Sequence, residues 1–170
     1  VGIIEAKPGS DEAAAAAAVL SMMGHRAAPV VMRLVASERY ELRVAGFDVL
    51  QRLMPAEHGL WEALRGTFQL GGEREARILA ALRDVWGEPG TDTPTLSAAV
   101  LRGPAKSRAA GIFLMGEAAR PGNAYARKLR KLRDRKLESG QAAIEAALRK
   151  LKAAEATVSG STGAAKTSSD

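Results

Sequence analysis

Cysteine is absent from all 170 residues. That excludes disulfides, thiolate metal sites and a cysteine nucleophile, and it fits a reducing, cytoplasmic setting. Aromatic side chains are scarce: two Trp, two Tyr and three Phe make up 4% of the chain. A core with so few rings must rest on aliphatic side chains and closely packed alanine faces. No run of about 18 apolar residues occurs, so hydropathy marks no membrane-spanning helix. The alanine-rich stretch at 12–20 follows Asp11 and Glu12 and lacks the basic start of a signal peptide. No repeat of solenoid length is found. The chain opens on Val1 rather than Met, which a GTG start read literally or a longer chain would explain.

What is present is an ordinary apolar fraction of 46% and a net charge of +6, with a pI near 10.0. The length suits one domain with an appendage. The basic balance favours anionic partners, nucleic acid first.

The first 46 residues read as β-α-β-β. VGIIEA, from Val1 to Ala6, is short, apolar and rich in β-branched side chains, and Pro8-Gly9 ends it. Ser10 or Asp11 can cap a helix running to about Met23, which stops at Gly24. Pro29 opens a second β-branched run, Val30 to Val35. Arg39 to Val44 then alternates, with Tyr40, Leu42 and Val44 on one side and Arg39, Glu41 and Arg43 on the other. Everything later reads as helix. Glu73 to Trp86 carries the clearest apolar stripe: Ile78, Leu79, Leu82, Val85 and Trp86. Trp61 and Trp86 lie on apolar faces and read as core anchors. The expected fold class is therefore α+β, mostly helical. A small N-terminal sheet would be covered by helices within a domain at 1–119. A basic helical extension at 120–156 and a disordered tail at 157–170 would follow.

The basic segment is the strongest functional signal. Eight cations lie between Arg120 and Lys136, interrupted by the single acid Asp134. A helix from Asn123 to Glu155, broken near Ser139-Gly140, would put Arg127, Lys128, Lys131 and Arg135 on one face. Tyr125, Leu129 and Leu132 would lie on the opposite face, against the body. Arg127, Lys128, Lys131 and Arg135, with Arg130, Arg133 and Lys136, form a candidate nucleic-acid site. It would bind DNA or RNA through phosphates, without sequence preference. An acidic protein surface would suit the same cations. Tyr125 is the sole aromatic nearby, which argues against a platform for stacking bases.

A second candidate lies at the start. On a strand, Glu5 and Lys7 share a face, an arrangement able to hold a divalent cation and orient a water. The stretch VGIIEAKPG resembles the second half of the PD-(D/E)XK nuclease signature, as in restriction-enzyme motor subunits and RecB-like nucleases. The order of helix then strand after it is similar as well. The resemblance covers about the first 45 residues. It implies a nuclease in which Glu5 ligates Mg²⁺ and Lys7 assists the attacking water as catalytic residues. The acidic residue that the family places on a preceding strand lies outside this chain.

The alternative is an assembly subunit, of a phage particle or a multi-protein complex. Leu137, Ile144, Leu148 and Leu151 form a short apolar seam through which a C-terminal helix would bind a protein partner.

Overall fold

In the computed structural model the described residues are 2–69, 71–86, 95–135, 137 and 140–164. Among them lie ten α-helices and no strand. The helices are α1 (Gly2–Ala6), α2 (Asp11–Met22), α3 (Ala28–Val35), α4 (Tyr40–Leu53), α5 (His58–Arg65), α6 (Glu73–Trp86), α7 (Leu96–Arg102), α8 (Ala105–Ala118), α9 (Ala124–Asp134) and α10 (Gln141–Ala164). Short 3₁₀ turns at Gly24–Ala27, Pro55–Glu57 and Thr67–Gln69 join some of them.

The α+β expectation is therefore corrected: each of the three expected strands is a helix. The six residues from Arg39 to Val44 alternate, but the apolar set continues with helical spacing through Leu42, Phe47, Val49 and Leu50, all buried in α4. A window of six residues cannot separate the two periods, and the longer stripe decides. Val30 to Val35 is rich in β-branched residues. Ala27, Ala28, Val31, Leu34 and Val35 nevertheless recur at helical spacing, and all are buried. β-branching costs only a few tenths of a kcal/mol per helical residue, and packing outweighs it. Pro29 falls in the first turn of α3, where its missing N–H is not needed. The opening segment forms the short helix α1, which buries Ile4 and leaves Ile3 exposed. With no other strand to pair with, an extended VGIIEA would have left its backbone groups unsatisfied.

Where the helical period was long, the observed elements coincide with the reading. The stripe of Glu73 to Trp86 is α6. The hydroxyl of Ser10 accepts from the Ala13 N–H at 3.1 Å and caps α2. Trp61 and Trp86 are both 1% exposed. Their rings meet at 5.2 Å, and Phe47 and Phe68 extend the cluster, so the few aromatics tie α4, α5 and α6 together.

Helix α8 is the centre of the C-terminal half. It packs against α5, α6, α7, α9 and α10 and is buried on nearly every side. That explains why its sequence shows no clear polar face. In the N-terminal half, α4 packs on α2 and α3.

The expected long helix from Asn123 to Glu155 is two helices, α9 and α10. Gly140, at φ +105°, sits at their junction in a conformation that favours glycine. Helix α10 then runs back along α8 and α9. Its seam is used internally: Ile144 and Leu151 are buried in the core, with Leu137 and Leu148 packed against it. The backbone of α10 continues through residues 157–164, the start of the expected tail, and 165–170 lie outside the described residues.

Candidate nucleic-acid interface

The charge of the protein is concentrated. Residues 120–155 carry eleven Lys and Arg against four Asp and Glu, a net of +7. All other residues carry fourteen against fifteen, a net of −1. The excess positive charge therefore belongs to α9, α10 and their flanks.

Helix α9 begins at Asn123, whose side-chain oxygen accepts from the Ala126 N–H at 2.9 Å. One face buries Tyr125, Ala126, Leu129 and Leu132. The opposite face is forced outward, and it carries Arg127, Lys128, Lys131 and Arg135, all exposed. Arg127, Lys131 and Arg135 follow one another at four-residue spacing, roughly 6 Å apart along the axis. Lys128 donates to the Ser97 hydroxyl at 2.7 Å and lies over the Tyr125 ring. Arg127 donates to the Gly122 carbonyl. Lys131 and Arg135 have no hydrogen bond or ion pair among the described residues.

The structure divides the seven cations read from the sequence. Arg130 turns toward α10 and pairs with Glu155. Arg133 pairs with its neighbour Asp134 at 3.0 Å. Lys136 lies outside the described residues. Four cations thus form an outward ridge, and two are engaged with carboxylates.

Beneath the ridge is a feature that the sequence reading missed. A cleft of about 150 Å³ opens between α7, α8 and α9. Val100, Leu101, Met115 and Leu132 make its apolar lining, while Ser97, Lys128, Lys131 and Arg135 form its polar rim. Leu101 is 42% exposed. The one available signal was Leu101 itself. It stands off the buried stripe of α7, which consists of Leu96, Ala99 and Val100.

The ridge is held by a buried carboxylate. Glu57, 2% exposed, accepts from the Leu96 N–H at 3.0 Å and from the Tyr125 hydroxyl at 2.5 Å. It thereby joins the first turn of α7 to the first turn of α9. Burial, and then the bond to Glu57, pushes the Tyr125 phenol well above its usual range. No ring lines the cleft, because the one aromatic on α9 is committed to Glu57.

Glu5 and Lys7 do not form the expected constellation. Glu5 lies in α1 and Lys7 just past its end, so the strand that would put them on one face is absent. In helical geometry residues two apart point roughly 200° apart. The Glu5 carboxylate pairs with Arg33 at 3.4 Å, and the Glu5 carbonyl accepts from Arg39. Among the described residues, no group of three His, Asp or Glu side chains could hold a metal ion. Mg²⁺ demands several oxygen ligands, and these residues do not fit it.

Comparison with protein families, with characterised proteins and with solved structures finds no match. No described helix is long and apolar enough to cross a membrane.

Proposed function

We propose that the protein binds the phosphate backbone of nucleic acid through the outward face of α9. The supporting observation is the ridge of Arg127, Lys128, Lys131 and Arg135. Four exposed cations share one face, three of them at four-residue spacing, in the segment that carries the excess charge. Such a ridge neutralises phosphates and releases counterions, so binding would be sequence-blind and salt-dependent.

The test is fluorescence anisotropy with a labelled DNA duplex, DNA strand and RNA strand across a salt series. Each phosphate contact contributes about 0.9 to the slope of log K against log salt for duplex, or about 0.7 for single strands. Replacing the four cations by Gln should abolish binding and flatten the slope. Unchanged affinity and slope in that variant would end this reading. Equal affinity for polyglutamate would transfer the site to an acidic protein.

A separate observation favours a second reading, an assembly subunit. Ile3, Val19, Met22 and Met23 are four of the protein's large apolar side chains at least 47% exposed, and all lie at the N-terminal face. Three of them, with Ala15, Ala16, Leu20 and Val30, line an apolar groove of about 630 Å³. Exposed apolar surface of this kind suits a protein–protein interface. Light scattering on wild type and Met22→Glu distinguishes the two readings. A dimer lost in the variant supports this one, and a monomer in both removes it.

A further inference from the structure

The cleft beneath the ridge has no task in backbone binding, since phosphates have no use for an apolar floor. We propose that it seats one pyrimidine base of a single-stranded nucleic acid, whose flanking phosphates rest on Lys128, Lys131 and Arg135. The inference deepens the nucleic-acid reading and rests on it.

Three observations carry it. The first is size: an apolar space of about 150 Å³ is what admits one six-membered ring. The second is chemistry. Val100, Leu101, Met115 and Leu132 present aliphatic surface to a ring and its methyl group. The Ser97 hydroxyl supplies a polar atom at the rim. The third is juxtaposition. Three cations lie on the same rim, and two of them have no partner among the described residues.

A ligand that matches must alternate flat apolar rings with regularly spaced anions. A single strand does so, with a phosphate between successive bases. A duplex does not, because its rings are stacked and paired inside and only edges and phosphates face outward. The grip differs from the usual single-strand platform, in which aromatic side chains stack on each base. Here the contact is aliphatic and enclosing, and it serves one base rather than a run.

The test compares three ligands of equal length at one salt concentration: an oligothymidylate, an abasic strand with the same phosphates, and a duplex. Anisotropy should show the oligothymidylate binding at least fivefold tighter than the abasic strand. In Leu101→Ala that advantage should vanish while abasic binding stays unchanged. Leu101 is partly exposed, so the substitution leaves the core intact. Equal affinity for the oligothymidylate and the abasic strand in wild type would overturn the base cleft and leave the ridge standing. Failure of all three ligands to bind even at low salt would overturn the ridge, and the cleft with it. An advantage that survives Leu101→Ala would place the base elsewhere and overturn this site.

Discussion

The hydroxyl of Tyr125 donates to the carboxylate of Glu57, 68 residues earlier in the chain, at 2.5 Å in the buried interior. The other carboxylate oxygen accepts from the Leu96 N–H. One buried acid therefore sets the position of α9 relative to α7, and so the shape of the cleft and the attitude of the ridge. A buried acceptor that loses its donor is expensive, so this link is a point where the site can be tested without touching a cation.

Tyr125→Phe removes the donor and keeps the ring. Loss of a hydrogen bond to a charged group should destabilise the fold by about 1.5–3 kcal/mol, measured by urea unfolding. The phenol also sets an alkaline limit. Its folded pKa lies above the ordinary 10.0, chiefly through burial and then through Glu57. Its stabilising contribution is complete below pH 10 and declines as pH rises from there, because the unfolded chain releases the proton first. That decline should be absent from Tyr125→Phe.

Glu117 should set the behaviour in acid. Its carboxylate on α8 accepts from Arg74 of α6 at 2.7 Å and from Lys150 of α10 at 2.8 Å. Burial would raise its pKa, but the bonds from Lys150 and Arg74 prevail and hold it below the ordinary 4.5. The contribution is present above pH 4.5 and is lost as pH falls through the folded value. Both partners are more than half exposed, so Glu117→Gln should cost only about 1–2 kcal/mol at neutral pH. The difference from wild type should shrink in acid. Hydrogen exchange should show the loosening in α10 first.

Among the described residues Arg43 and Glu75 form the most enclosed ion pair, at 3.3 Å, with side chains 14% and 10% exposed. Arg43 also donates to the carbonyls of Ser37, Glu38 and Phe68. Arg43→Met strands a buried carboxylate and should destabilise by about 3–5 kcal/mol. Adding Glu75→Met should recover part of that loss. A double variant as unstable as the sum of its singles would show that the pair is not coupled.

Gly46 is required by close approach. A Cβ there would sit 2.7 Å from Val35 Cγ2 and 2.8 Å from the Val35 backbone nitrogen. Backbone cannot swing aside as a side chain can. Gly46→Ala should therefore force α3 and α4 apart and destabilise by about 1–3 kcal/mol. Gly66→Ala is the control. It meets nothing within 4 Å and has right-handed helical backbone angles, so it should be neutral or mildly stabilising.

Particular residues show why some features were legible and others not. Ser10 and Asp11 announced the start of α2 because a cap is a local interaction, three residues long, and the structure gives that role to Ser10. Glu73 to Trp86 announced α6 because its stripe spans almost four turns. The run from Arg39 to Val44 misled because it is shorter than the distance over which alternation and the helical period diverge. VGIIEA misled because apolar, β-branched composition was read as a strand without a partner strand to hold it. Glu57 gave no sign at all. A lone acid after Pro55 looks like any surface carboxylate until Leu96 and Tyr125 close over it.

Read alone, the sequence determined the chemistry that local order controls. It settled the lack of cysteine, the concentration of positive charge between residues 120 and 155, the separation of cations from Leu129 and Leu132 around α9, and the main amphipathic helix. Tertiary structure decided the rest. It made the three expected strands helical, because burial of their apolar sets outweighs weak backbone preference. It turned Arg130 inward to Glu155 and left Lys131 and Arg135 facing out. It also built a cleft from three consecutive helices, α7, α8 and α9. Contacts between residues 30 to 70 positions apart depend on how whole helices pack, and no window along the chain contains that information.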